Sequence, residues 1–397
     1  MRLPSPDERR PLLLALRNLK MAESPHAYVR GNTVQYYDWL HSLRGHALPH
    51  GPAVWICGDC HLGNLGPLGH PSGKVKVQIR DLDQTVIGNP AHDLVRLALS
   101  LATAARGSRL PGVITAQILE QMIQGYEHAF LSPKRQQQPP EVIDSQIRSS
   151  KSRGWKQLAR ERIDNPKPKI PLGKRFWPLS ATEREAMHEL FQNGDLHHLV
   201  TRLKSRDDDA PVELLDAAYW VKGCSSLGLL RYAVLLGVGD GEERDYCLID
   251  IKEAARAAAP RFAHAKMPRD NARRVLTGAQ QLSPALGERM LASRFLDRGV
   301  FIRELLPQDL ALKIEQLDSE QAMQIARYLA WVVGTAHARQ MDETIRKGWL
   351  SELKQQRSKT LDAPSWLWKS VVQLVASHEQ GYLEHCRKYA LSLKKPT

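Results

Sequence analysis

The sequence predicts an α+β protein in two lobes, one largely helical and one small and built on an antiparallel sheet. Three observations carry that expectation. Short apolar strand patterns cluster at 53–56, 74–80 and 219–252, and long patterns of helical period lie between and after them. The chain has 397 residues, 42% hydrophobic and 25% charged, enough for a sizeable core and for more than one folding unit. A change of character near 136–178, rich in Gln, Pro, Lys and Arg, separates the two groups of strands. The expected division is a first part of the helical lobe at 1–215, the small lobe at 216–308, and C-terminal helices at 309–397 that complete the large lobe.

In order, a helix is expected over 7–20, a loop from Met21 to Arg30 punctuated by Ser24-Pro25, and a helix over 33–43. Ala53-Val54-Trp55-Ile56 is a buried strand that runs into the polar loop Gly58-Asp59-Cys60-His61-Leu62-Gly63-Asn64. A second strand alternates Val75, Val77 and Ile79 with polar residues and ends at Asp81 and Asp83. After the turn Gly88-Asn89-Pro90 a helix carries Asp93 in its first turn and Leu94, Leu97, Ala98 and Leu101 on one face. Another helix follows over 113–130. The basic stretch 148–175, held extended in its second half by Pro166, Pro168 and Pro171, is either a solvated connector or a flap over an anionic substrate, and charge runs favour the connector.

Residues 219–254 read as strand, glycine turn, strand, turn, strand, with Lys252 at the end of the third. A helix over 270–281, a strand over 300–306 and helices over 322–337 and 366–389, the last with a basic tail, complete the chain.

Two strands thus deliver Asp59, His61, Asn64, Asp81 and Asp83 to neighbouring tips. Carboxylates and an amide so placed suit a magnesium ion, which prefers oxygen ligands and takes one or two protein carboxylates beside phosphate oxygens. Asn64 and Asp81 are the candidate ligands, with Asp83 a supporting or alternate ligand. Asp59 is placed to orient, or take a proton from, an attacking hydroxyl. His61 orders the loop or transfers a proton. The plain alternative is that Asp and Asn stand here because they make turns. Gly223, Ser225, Ser226 and Gly228 form a turn whose backbone N–H groups can cradle the phosphates of ATP, with Lys252 contacting them; a simple Gly-Ser hairpin turn is the alternative. An acid must partner that lysine. The helix over 270–281 holds no glutamate, and Glu253 points to the other face of the strand, which leaves Glu288.

The motifs Gly58-Asp59-x-His61-x-x-Asn64, Asp81-Leu82-Asp83 and Asp93-Leu94-Val95-Arg96-Leu97 resemble the catalytic and metal-binding segments of aminoglycoside phosphotransferases. Along most of the chain the pattern resembles the bacterial family called domain of unknown function 2252, including Met21-Ala22-x-Ser24-Pro25-x-x-Tyr28-x-Arg30-Gly31. The resemblance implies a two-lobed protein-kinase-like fold with Asp59 as catalytic aspartate, Asn64 and Asp81 on magnesium, and Asp93 bracing the loop from the helix beneath. The catalytic segments come first and the nucleotide segments second, so the fold is expected to be circularly permuted. The implied activity is ATP- and magnesium-dependent phosphotransfer to a hydroxyl acceptor, small molecule or protein. Nucleotidyl (AMP) transfer on the same fold and non-catalytic nucleotide binding are the alternatives.

No run of about 18 apolar residues appears and the N-terminus lacks the apolar core of a secretion signal, so no membrane partner and a cytoplasmic setting are expected. The net charge of +13 admits acidic partners, but no nucleic-acid-binding motif accompanies it, which disfavours nucleic acid. Five cysteines, an odd number, argue against a disulfide framework.

Overall fold

The computed structural model describes residues 3–43, 48–107, 110, 112–131, 136–163, 167–192, 194–203, 205–241, 244–312, 318–354 and 363–390. Pro166 and the basic tail after residue 390 lie outside them. The chain is a mixed α+β protein with antiparallel sheets.

Helix α1 (Pro6–Ala22) is capped by Ser5 with Glu8 reaching back, and α2 (Pro25–Gly31) follows directly. The expected loop at 21–30 is therefore largely helix. Ser24 caps it by accepting from the Ala27 N–H, and Pro25 occupies its first turn, where a missing N–H costs nothing. After α3 (Thr33–Ser42), β1 (Val54–Ile56) pairs with β4 (Val86–Gly88), and β2 (Leu65–Gly69) pairs with β3 (Val75–Ile79). The sequence pattern missed β2 and β4, since Leu-Gly-Pro-Leu-Gly and Val-Ile-Gly carry turn residues inside buried strands.

The helices α4 (Pro90–Gly107) and α5 (Gly112–Leu131) follow. The basic stretch then folds rather than standing in solvent. Helices α6 (Glu141–Lys151) and α7 (Trp155–Arg162) bury Ile143, Ile147, Leu158 and Ala159, which overrules the solvated connector for this part. The short β5 (Phe176–Trp177), α8 (Ala181–Phe191) and α9 (Gly194–Thr201) lead into β6 (Val212–Trp220), β7 (Arg231–Val238) and β8 (Asp245–Glu253). Then come α10 (Asn271–Leu282), the single turn α11 (Pro284–Gly287), β9 (Met290–Phe295) and β10 (Arg298–Leu305). Helices α12 (Ser319–Ala338), α13 (Glu343–Lys354) and α14 (Ser365–His385) close the chain.

The six-stranded sheet runs β5-β6-β7-β8-β10-β9 with every neighbour antiparallel. It recruits β5 and the first four residues of β6 from before residue 216, so its boundary falls earlier than expected. Alternation along each strand divides its residues between two covers. Tyr219, Tyr232, Val234, Leu236, Ile249 and Ile302 pack with Leu13, Met187, Leu196 and Val200 from α1, α8 and α9. On the opposite face Ala218, Trp220, Ala233, Leu235, Leu248 and Leu305 meet Leu158, Ala159, Ile163 and Ile170. The largest core joins β1–β4 to α4, α5, α10, α12 and α14.

Within that core α5 and α12 lie in direct backbone contact. A Cβ placed on Gly125 would collide with the Arg327 carbonyl, and one on Gly334 would stand 2.8 Å from the Tyr126 carbonyl. Gly125→Ala is expected to cost about 1–3 kcal/mol by overpacking. Gly348→Ala, in α13 with open space around it, should instead leave stability equal or raise it by up to about 1 kcal/mol. Urea unfolding of the two variants beside the parent checks the contrast.

Candidate functional site

The tips of β1 and β3 meet the end of β8. Lys252, 2% exposed, ion-pairs with Asp83, and its Nζ lies 3.6 Å from Asp81 Oδ2. Two stretches far apart in sequence thus bring the expected acids and the expected lysine together. The partner of Lys252 is Asp83, not Glu288, whose carboxylate lies 3.0 Å from His70 instead. Helix α10, which lacks a glutamate, contributes Arg274. That guanidinium donates to the backbone carbonyls of Asp83, Thr85 and Ala255, tying the Asp83 loop to the end of the sheet.

Asp81 and Asp83 share one ammonium and titrate as a pair. Burial raises Asp83, and the neighbouring Asp81 charge raises it further, to about 7. Burial works against the Asp81 carboxylate too, but Lys252, with Arg303 and Arg231 behind it, holds it well below the usual carboxylate range. Asp83 keeps one oxygen, Oδ1, buried without a partner, while the Asp81 side chain is 42% exposed. The Asn64 amide donates to the Asp59 carbonyl at 2.9 Å, which leaves its own oxygen as a ligand atom. Arg80 N–H donates to the Asn64 carbonyl at 2.7 Å, which fixes Asn64 beside the strand that ends in Asp81. Among the described residues no group of three His, Cys, Asp or Glu side chains forms a metal cage. Two carboxylates and an amide, one oxygen still unsatisfied, fit a hard cation that retains waters and binds phosphate.

Asp59 accepts from Arg96 Nε at 2.9 Å, and His61 Nε2 stands 3.9 Å from its other oxygen. Arg96 is fully buried, donates to the Val29 carbonyl at 2.6 Å and lies over the Tyr36 ring, so Asp59 is held rather than free to swing. Burial, assisted by Arg30 and Arg96, pushes His61 down to about 3 against the pull of Asp59. Its imidazole is therefore neutral at neutral pH, with Nδ1 buried and without a hydrogen-bond partner.

The loop hangs from Asp93. One oxygen accepts from the Cys57 N–H at 2.7 Å, the other from the Gly58 N–H at 2.9 Å. His337 Nε2 lies 3.2 Å from Asp93, and its Nδ1 lies 2.9 Å from the Tyr126 hydroxyl, to which Trp349 donates. Donation to the carboxylate fixes the His337 proton on Nε2 and makes Tyr126 the donor to Nδ1. Removing the carboxylate would orphan two buried N–H groups at about 1–3 kcal/mol each. Gly58 has φ +75°, and a Cβ there would strike the Gln84 carbonyl, so the loop also requires glycine at this point. Cys57 and Cys60 are buried free thiols.

The glycine turn sits between β6 and β7. Gly223 and Gly228 take φ +92° and +100°. Gly223 and Ser225 are exposed, whereas the Ser226 hydroxyl turns inward to the Lys222 carbonyl at 3.4 Å. Ser226 thus shapes the turn, and Ser225 is the hydroxyl open to a ligand. The sequence pattern did not reveal that α1 and α2 clasp this turn: Lys20 donates to the Gly223 carbonyl at 3.2 Å, Leu14 packs near Gly228, and Gly31 adjoins Cys224. From the same α2, the exposed Arg30 places its guanidinium against Gly63 of the Asp59 loop, so one short helix touches both halves of the site.

Also missed was a charged patch on the α7-covered face. Arg231 and Arg303 both grip Asp250, at 2.6 Å and 2.9 Å, and hold its carboxyl well below its ordinary range against the effect of burial. Alternation along β8 puts Asp250 on the face of Lys252, a signal present in the sequence. A separate cavity of about 550 Å³ lies at the opposite ends of β8 and β10, lined by Trp155, Tyr246, Glu304 and Gln308, away from Lys252.

The model of DUF2252, described as an uncharacterized protein conserved in bacteria, matches residues 9–388. The chain belongs to this family. No curated protein and no solved structure matches it. In this DUF2252 chain the matched span covers every residue of the site just described. No helix among the described residues is long and apolar enough to cross a membrane.

The buried histidines set an acid limb of stability. Burial holds His61 near 3 and His92 and His378 near 4, whereas the unfolded chain binds their protons near 6.5. Stability from these groups is complete above about 6.5 and is lost as pH falls through that window. Asp83 acts oppositely, since its raised folded value favours the folded state at low pH and loses effect as pH rises through about 7. His61→Gln should therefore flatten the fall in stability between pH 6.5 and 4.5, seen as a smaller change in urea midpoint than in the parent.

Proposed function

We propose that this protein is an ATP- and magnesium-dependent phosphotransferase with a permuted kinase-like arrangement, acting on a hydroxyl acceptor. The observation that carries the proposal is the meeting of Lys252 with Asp81 and Asp83 beside Asn64 and the Asp59 loop. Phosphoryl transfer asks little covalent chemistry of a protein and much positioning and charge stabilisation. A lysine at a strand end beside carboxylates that suit a divalent ion supplies both.

In this reading Asn64, Asp81 and the free oxygen of Asp83 would hold magnesium, which would supply screening of the phosphate charge. Lys252 and the Gly223–Ser225 turn orient the polyphosphate, and Arg30 supplies a second positive group at the mouth. Asp59, steadied by Arg96 and by the loop that Asp93 suspends, orients the acceptor hydroxyl. Neutral His61 keeps the loop ordered. Arg274 takes the place that an acidic residue of α10 would fill, and it positions the lysine's partner through the backbone.

Titration calorimetry with magnesium and ATP, followed by single-turnover transfer from labelled ATP to a panel of hydroxyl compounds and to the protein itself, tests the proposal. Asp81→Asn should abolish metal-nucleotide binding. Asp59→Asn should retain binding and slow transfer about 10²- to 10⁴-fold. Absence of both nucleotide binding and label transfer in the parent protein sinks the reading, and an AMP adduct in place of a phosphate adduct redirects it to nucleotidyl transfer.

A further inference from the structure

Burying a cation without a counter-charge costs several kcal/mol, so unpaired basic groups that gather in a cleft mark an anion to come. On the α7-covered face, Arg80, Arg162 and Lys222 gather around Arg303 with no ion-pair partner among the described residues. Arg80 follows β3 and directly precedes Asp81. Its Nε is buried without a partner, and Nη1 donates to the Gly63 carbonyl at 3.5 Å. Arg162 ends α7; its Nε is likewise buried and unpartnered, and one terminal nitrogen donates to the Asp309 carbonyl at 3.0 Å. Lys222 opens the glycine turn with its ammonium 3.8 Å from the centre of the Trp220 ring. All three are partly open to solvent, so a ligand can reach them.

The acids nearby are already matched. Asp250 is shared by Arg231 and Arg303, Asp309 is gripped by Arg289, Glu161 by Arg153, and Asp81 and Asp83 by Lys252. The cations therefore strain against one another. Arg303 reaches the Arg80 carbonyl at 3.0 Å. Burial lowers Lys222 well below its ordinary value, aided by Arg162 and Arg231 and opposed by Asp250. An arginine at a helix C-terminus or a lysine over an indole has an ordinary structural use taken singly. Three together around a fourth, two with orphaned buried nitrogens, do not stabilise a fold.

We propose that Arg80, Arg162, Lys222 and Arg303 form a binding site for a phosphate or polyphosphate group, next to but separate from the cation site at Asn64 and Asp81. The occupant is a multiply charged phosphate, supplied either by the nucleotide's own phosphates or by an acceptor that already carries one. Its place in phosphotransfer rests on the function proposed above, while anion binding rests on these side chains alone. Guanidinium groups suit the task because their fixed fork of donors matches phosphate oxygens. Arg303 links the two sites, since it donates to the Arg80 carbonyl at 3.0 Å while it holds Asp250.

The decisive measurement is calorimetric titration of the full chain with inorganic pyrophosphate in buffer containing a chelator. The parent should bind without metal and bind more weakly as salt rises. Lys222→Met and Arg162→Met should each weaken binding about tenfold or more. Lys347→Met, an exposed cation paired with Glu343 on α13, should leave it unchanged. Exclusion of pyrophosphate by magnesium-ATP would make the nucleotide the source, and simultaneous binding would make it a phosphorylated acceptor; either supports the site. No binding by the parent, or equal binding by the parent and both variants with parental melting curves, overturns it. Pyrophosphate binding without magnesium-ATP binding leaves the anion site standing and removes phosphotransfer. Turnover that ignores both substitutions, with no pyrophosphate bound, removes the anion site alone.

Discussion

A lysine that is 2% exposed cannot keep its charge cheaply in a protein interior, and the positions of Asp81 and Asp83 answer that constraint. The contact between Lys252 and Asp83 closes a loop of 169 residues, so it joins the strand pair β2–β3 to the end of β8, an interior strand of the six-stranded sheet. The ion pair does not hold this junction alone. Arg274 binds the Asp83–Thr85 backbone from α10, and the Thr85 hydroxyl donates to the Ile56 carbonyl at 2.6 Å. The Asp59 loop reaches the same junction through Asp93, because its suspension also anchors α12 by way of His337. The loop, the acids and the lysine are in this way referred to one rigid frame, which is what a positioning site requires.

Much of this was legible because strand ends are strongly patterned. Val75, Val77 and Ile79 alternate into Asp81, and Tyr246 to Ile251 runs into Lys252, so period and termini placed the charged groups before any geometry was known. The long helices α4, α5, α12 and α14 followed from their apolar faces in the same way. The segments that went unread are those in which local signals have two meanings. Ser24-Pro25 marks a turn or a capped helix start, and the contacts of α2 with α1 and α4 selected the helix. Leu65–Gly69 looks like a turn by composition, yet its pairing with β3 makes it a buried strand.

Charge was the harder problem. A run rich in Lys and Arg is solvated in most proteins, and the apolar residues inside this one, Ile143, Ile147, Leu158 and Ala159, are too sparse to announce two packed helices. Once α7 docks on the sheet, its last residue, Arg162, is carried to the side of Arg303. The partner of Lys252 was hidden for a related reason. Sequence separation says nothing about which of several acids will be nearest, and Asp83 could be assigned to a cation or to an ammonium with equal chemical sense.

These two assignments of Asp83 need not compete. In the arrangement described here one ammonium faces two carboxylates, and the pair answers by raising one of them toward neutrality. On the proposed function, a phosphate arriving at Lys252 offers it a new counter-charge and leaves the carboxylates short of one. A divalent cation on those carboxylates and the phosphate restores the balance, with every charge again matched by its neighbour. Ligand and cation would then bind better together than either does alone, since each relieves a deficit that the other creates. The basic patch around Arg303 extends the same electrostatic logic inward: on the proposed anion site, its excess of positive charge would persist after Lys252 has been satisfied and would be met by a phosphate or polyphosphate there.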